Sequence, residues 1–150
     1  MNELIEKLTS SQVSECACFN LRKTARAVTQ FYDSCLKSSG LRGTQFTLLS
    51  VIAGNKRITI SKLAHKLVME RTTLTRNLRP LARQGLVEII PGNDKRTRFV
   101  ELTPKGRNTL LNALPFWQKA QKKIQKDLGK TQFQSLLQNL SNTLERIFLQ

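Results

Sequence analysis

The chain has 150 residues, 39% of them hydrophobic, and 25 Lys/Arg against 10 Asp/Glu give a formal net charge of +15. That length and apolar content suit one ordinary domain, 1–150, with a real core, and no run of 18 apolar residues is present that would cross a membrane. The positive charge is concentrated: residues 55–107 carry thirteen Lys/Arg and four Asp/Glu, which suits a polyanion whose condensed counterions are released on contact.

The opening, MNELIEKLTSSQVSE, lacks a basic segment followed by an apolar core, so no secretory leader is expected. The expected location is the cytoplasm, where thiols stay reduced. Residues 13–37 are predicted as one long helix, because Cys18, Leu21, Ala25, Val28, Tyr32 and Cys35 keep one face in register over several turns. Ser38, Ser39 and Gly40 stop it. A second helix fits 44–54, with Thr44 as its N-cap and Gly54-Asn55 at its end.

Ile58-Thr59-Ile60 reads as a short strand. Ser61 to Leu67 and Arg71 to Gln84 read as two short amphipathic helices, with Gly85 as the stop. Leu86 to Ile90 and Arg98 to Leu102 are predicted antiparallel strands, joined through the turn residues Pro91-Gly92-Asn93-Asp94. Two short helices, a hairpin and a basic turn, with no spare residues between them, are what a winged helix-turn-helix needs to place a helix in a major groove and a loop beside it. The lobe is expected over 44–103.

Pro104, in the first turn of the next helix, starts a segment running to about Leu128, bent near Pro115. A last helix over 131–149 puts Phe133, Leu136, Leu137, Leu140, Leu144, Ile147 and Phe148 on one stripe. So wide an apolar face needs a partner: packing into its own domain is one solution, and a homodimer interface built by the 13–37 and 105–149 helices is the expected one.

In the second short helix, Arg71, Thr72, Thr73, Thr75, Arg76 and Arg79 supply guanidinium forks, hydroxyls and methyls, while Leu74, Leu78 and Leu81 form the core-facing row. Arg suits bidentate bonds to guanine, and Thr suits a base, a phosphate or a thymine methyl. Lys62 and Lys66 on the preceding helix are positioned for phosphates. At the wing tip, Asp94 is expected to orient Arg96 by a charge-assisted hydrogen bond, with Lys95 and Arg98 beside it. An oriented Arg suits a narrow minor groove. Pro80 inside the helix is expected to bend it so that its end packs on the wing strands. His65, the lone histidine, is read as solvated or phosphate-facing. No metal or cofactor is expected.

The strings LAHKL, RTTLTRNLRPLARQGLVE, Asp94-Lys95-Arg96 and LTPKG (102–106) resemble the MarR family of bacterial transcription regulators, over essentially the whole chain. The resemblance implies a mainly α fold with a small β wing, a dimer of winged helix-turn-helix lobes on a palindromic operator in double-stranded DNA, most often as a repressor. It implies that Arg96 enters the minor groove and that the 71–79 face reads the major groove. It also implies control by a small-molecule effector or an oxidant that changes the spacing of the lobes. Glu70 departs from the Ser or Thr that often caps this helix in the family, although a carboxylate still favours a helix N-terminus.

Three cysteines bear on the input. On one continuous helix Cys16 and Cys18 would point about 200° apart, and Cys18 and Cys35 would lie about 25 Å apart, so neither pair would bond within the helix. The string Cys18-Phe19-Asn20-Leu21, with Tyr32 downstream, resembles the peroxide-sensing branch of the family, where position 22 is a tyrosine and is Arg22 here. A reactive thiolate is stabilised by a helix start or a cation, a role Arg22 would fill one turn away. Burial of the cysteines as small apolar groups is the other reading.

No phosphate loop, nucleophile motif or acid–base cluster is present, so enzymatic activity is not expected. A sequence-specific regulator fits the motif best, and a sequence-tolerant architectural DNA-binding protein is the rival reading.

Overall fold

In a computed structural model, residues 11–94 and 96–148 are described. Lys95, Leu149 and the first ten residues, on which the expectation about a leader rested, lie outside them. The described elements run α1 (Ser11–Ser14), α2 (Ala17–Leu36), α3 (Gly43–Ala53), β1 (Arg57–Thr59), α4 (Ile60–Lys66), α5 (Arg71–Arg83), β2 (Val87–Pro91), β3 (Arg98–Leu102), α6 (Pro104–Leu128) and α7 (Lys130–Phe148). The fold is mainly α with a small antiparallel sheet, and a 3-10 turn over Lys37–Ser39 follows α2.

The expected 13–37 helix is interrupted. Glu15 and Cys16 lie between α1 and α2, and Cys16 is extended (φ −68°, ψ 113°) as the N-cap of α2. The Asn20 amide bridges the break, donating to Ser14 O at 2.7 Å and Cys16 O at 3.1 Å. Cys16 therefore lies outside the helix, and the opposed directions expected for Cys16 and Cys18 on one continuous helix do not apply.

Other boundaries move by a residue for local reasons. Helix α3 begins at Gly43, with Arg42 rather than Thr44 at the N-cap. Asp33 on α2 accepts from the Gly43 N–H at 2.6 Å, satisfying an end group of α3 from a neighbouring helix. The first strand is Arg57–Thr59, and Ile60 already belongs to α4, because the Thr59 hydroxyl accepts from Lys62 N and turns the chain into the helix. Helix α5 continues through Pro80 and ends at Arg83, one residue early, with Gln84 as its C-cap. Gly85 adopts φ +69°. Its N–H bonds Ala82 O and the Leu86 N–H bonds Leu81 O, both at 2.9 Å, the paired bonds of a left-handed helix stop.

The sheet has the order β1-β3-β2, with Val100 facing Ile58 on one side and Ile89 on the other. Leu49, Ile52, Leu63, Leu74, Leu78, Leu81 and Val100 are fully buried together with Leu36 from the end of α2. The core is thus centred on the winged lobe and is closed by the ends of the long helices, through Leu36 of α2 and Ala113 of α6. Helix α6 is seated on that lobe by the Thr103 hydroxyl, which accepts from Gly106 N and donates to Gly85 O, and by Trp117 stacked on Phe46 at 5.6 Å between ring centres.

The long helices are different. Among the described residues, α7 has no buried side chain, and Leu137, Leu140 and Leu144 are 50%, 42% and 45% exposed. Along α2, Phe19, Leu21 and Val28 are also bare, and only Leu36 is buried. The apolar stripes are where the sequence puts them, but one chain leaves them uncovered. Among the described residues no helix is long and apolar enough to cross a membrane.

Candidate nucleic-acid interface

Helix α5 shows two sides. At about 100° per residue, Thr72, Arg76, Arg79 and Arg83 share the face opposite the buried Leu74, Leu78 and Leu81, and all four are exposed. Thr73 and Thr75 lie on the flanks, half-buried, and the Thr75 hydroxyl donates to Arg71 O at 2.8 Å. Glu70 is the extended N-cap with no side-chain cap bond, so the unusual residue leaves the start of α5 open.

Arg71 is exposed, but its guanidinium turns along the lobe: Nη2 donates to the backbone carbonyl of Arg96 at 3.0 Å, joining the start of α5 to the wing tip. Asp94 does not hold the Arg96 side chain as the sequence suggested. Its Oδ1 accepts from the backbone N–H of Arg96 and of Thr97, both at 2.6 Å, and its Oδ2 accepts from the Thr97 hydroxyl at 3.0 Å. The reason is geometric: a short carboxylate opening a tight turn reaches the N–H groups two and three residues on before it reaches a long side chain. Those bonds, the Thr97 N–H first, hold the Asp94 carboxyl below its ordinary value. Arg96 and Arg98 are exposed, and no described residue accepts from the Arg96 guanidinium.

Lys62 and Lys66 are exposed on α4, with Lys66 Nζ on Asn55 Oδ1 at 2.8 Å. A shallow crevice gathers them with Arg57, His65 and Phe99, and the Arg57 guanidinium lies 4.4 Å from the Phe99 ring centre. His65 is exposed, as expected, with its ring against Phe148 at the end of α7. Lys62, Lys66, Thr72, Arg76, Arg79, Asp94, Arg96 and Arg98 are therefore all exposed side chains of the winged lobe. Sequence reasoning missed Arg83 and Arg57. Arg83 follows Arg76 and Arg79 at i+7 and i+4 and was legible as their continuation. Arg57 required knowing that β1 pairs with β3, opposite Glu101.

The cysteine set is not assembled within one chain. Cys16 and Cys18 are exposed and Cys35 is half-buried, so the reading of Cys18 as a core residue does not hold in the single chain. Arg22 is one turn from Cys18. Tyr32 is fourteen residues further along α2, about 21 Å on a straight helix, and its hydroxyl donates to Gln121 on α6. Burial, and then nearby Cys35, raise the Tyr32 phenol above its ordinary range.

Between α2, α3, α5 and α6 lies an open cavity of about 970 Å³, bordered by Tyr32, Gln45, Met69, Arg76, Asn77 and Trp117, among others. Arg76 belongs both to this cavity and to the outward face of α5.

The MarR family model matches residues 39–97. The transcriptional regulator MosR of M. tuberculosis, crystallised in complex with DNA, is 41% identical; the match covers 89% of this chain and 99% of that one, at a TM-score of 0.78. A mutant MarR from E. coli complexed with operator DNA is 25% identical, over 83% of this chain and 90% of that one, at a TM-score of 0.75. The HTH-type regulator SarZ of Staphylococcus haemolyticus is 29% identical over 102 residues, 67% of this chain and 69% of that protein. These relatives are transcription regulators, not enzymes. With this lobe, this wing and these relatives, the chain belongs to the MarR family of winged helix-turn-helix, DNA-binding transcription regulators.

Proposed function

We propose that the protein is a homodimeric repressor that binds a palindromic operator and is released by a small ligand or an oxidant. The observation that carries the DNA half is the outward row Thr72, Arg76, Arg79 and Arg83 on α5, beside a wing whose Arg96 is exposed and whose backbone is held. In this reading Arg76 and Arg79 read base edges in the major groove, Arg96 enters the minor groove, and Lys62, Lys66, Arg57 and Arg98 hold phosphates. Thr73 and Thr75 contribute methyls at the margin of the face, and Lys95 adds charge at the tip. The DNA-bound crystal structures of the MosR and MarR relatives support it.

The dimer half rests on the bare leucines of α7 together with Phe19, Leu21 and Val28 of α2. Apolar side chains left bare along two long helices suit an interface, and two copies related by a two-fold axis would present two α5 helices to one palindrome. For the input, the cavity beside Arg76 accommodates a small effector that touches both the long helices and α5. Exposed Cys16 and Cys18 at the α1–α2 break favour an oxidant as the second reading.

The test is a footprint on the DNA flanking the gene. A discrete protected palindrome, lost with a small ligand or graded hydroperoxide, is expected. Uniform protection along any duplex would overturn the regulator in favour of an architectural protein.

A further inference from the structure

We propose that Arg71 is a positioning residue that fixes the wing to the recognition helix, rather than a reader of bases. The hairpin ladder ends at the pair Pro91 and Arg98. Beyond it the tip is held by bonds of its own: Gly92 N–H to Thr97 O at 2.8 Å, Thr97 N–H to Asp94 O at 3.3 Å, and the three bonds to the Asp94 carboxylate. All of these lie inside the turn. They give the tip a shape but not a place, because the pairing of β3 with β1 ends at Thr59 and Phe99, and beyond it only the β2–β3 pair of Pro91 and Arg98 carries the turn.

Among the described residues, one hydrogen bond leaves residues 92–97 for the rest of the lobe, and it is the Arg71 bond to Arg96 O at 3.0 Å. It spans 25 residues of sequence and lands on the peptide of the wing arginine itself. Arg96 is thereby held from both sides of its backbone. Asp94 takes its N–H, and Arg71 supplies a donor to its carbonyl. Its guanidinium stays unengaged by any described residue and exposed to a ligand. A planar fork at the first residue of α5 suits this task, since one N–H reaches the carbonyl while the cation stays beside the groove that α5 enters. The bond makes the helix and the wing one body, so that seating α5 also sets the depth of Arg96. Order present before binding does not have to be supplied during it.

The proposal rests on the operator-binding reading, and its test has an arm that does not. In the first arm, operator affinity is measured for the wild type, Arg71→Ala, Arg96→Ala and the double variant on a duplex with A/T-rich flanks. Arg71→Ala alone is expected to weaken binding about three- to tenfold, the ordering cost of one long side chain. In the Arg96→Ala background the same change is expected to cost less than about twofold, because the residue it positions is gone. Equal losses in both backgrounds would overturn the proposal and make Arg71 an independent DNA contact.

In the second arm the free protein is digested briefly with trypsin, and cleavage after Arg96 is followed. Arg71→Ala is expected to speed that cleavage severalfold with an unchanged urea midpoint, as befits an exposed side chain. An unchanged cleavage rate overturns the proposal whether or not an operator exists. A wild type that protects no discrete site overturns the operator reading and leaves the digestion to decide the role of Arg71.

Discussion

Gly106→Ala tests how the long helices are seated on the winged lobe. Gly106 is buried in the first turn of α6, against the Leu86 peptide. A Cβ built on it falls within the Leu86 carbonyl oxygen and 2.8 Å from the carbonyl carbon. Both neighbours are backbone, so no side chain can swing aside and α6 has to lift. The lift strains the bonds that seat it: Thr103 N–H to Leu86 O at 3.2 Å and the Thr103 hydroxyl to Gly85 O at 2.6 Å. Overpacking of this kind costs about 1–3 kcal/mol. Each weakened hydrogen bond adds about 0.5–1.5 kcal/mol, and the better helix propensity of Ala returns about 1 kcal/mol. The net destabilisation is about 1–5 kcal/mol, or roughly 2–20 °C in melting midpoint for a chain of this size. Urea unfolding and thermal melts at one fixed protein concentration measure it. A loss smaller than about 0.5 kcal/mol, within the range of an ordinary surface change, would refute the contact and with it the account of how α6 carries the lobe.

Leu140→Glu with Leu144→Glu should give the mass of one chain by light scattering and abolish tight operator binding, while a stable monomer of the unmutated protein at micromolar concentration would end the dimer proposal. Arg76→Ala should relax base preference at a cost of about 1–3 kcal/mol; Lys62→Ala or Lys66→Ala should weaken all sequences alike and reduce the salt slope by about one unit. Arg96→Ala should hurt most on A/T-rich flanks, and equal binding of such flanks by wild type and variant would show the wing assignment to be wrong. Asp94 has a folded value below its ordinary 3.8, so the order it gives the wing is fully present above 3.8 and is lost as pH falls through the depressed value. The amide signals of Arg96 and Thr97 should therefore hold steady from neutrality to about pH 4 and move only in stronger acid; movement near pH 6 would contradict the Asp94 bonds.

The lobe was legible because each local signal agreed with the next. Leu74, Leu78 and Leu81 fix the buried side of α5, Gly85 fixes its end, and Pro91 to Asp94 fix the hairpin. What the sequence left open depended on contacts between distant residues. Asp33 sets the start of α3 from another helix. Arg71 and Arg76 read alike as arginines of one helix, yet five positions turn one toward the wing and leave the other facing outward beside the cavity. The break at Cys16 was illegible for a related reason. The apolar period of residues 18–35 says nothing about where the helix begins, and the Asn20 amide that spans the break gives no periodic signal.

The same limit explains the long helices. A period of 3.6 reports that one face is apolar but not what covers it, so Leu81, fully buried, and Leu144, 45% exposed, carry the same signal in the chain. The structure separates them. The lobe's leucines are enclosed within the one chain, with Leu36 of α2 and Ala113 of α6 closing the core, whereas α7 touches its own chain chiefly along α6 and leaves its leucines bare. At about 25 cal/mol per Å² of apolar surface removed from water, the second copy of the proposed dimer would stabilise those helices by covering their bare leucines. On the proposed dimer the two halves should then answer differently to dilution. Mass action lowers the melting midpoint of the paired helices as the protein is diluted, while hydrogen exchange in the core around Leu49, Leu78 and Val100 should reflect the lobe's own packing until the chain as a whole unfolds.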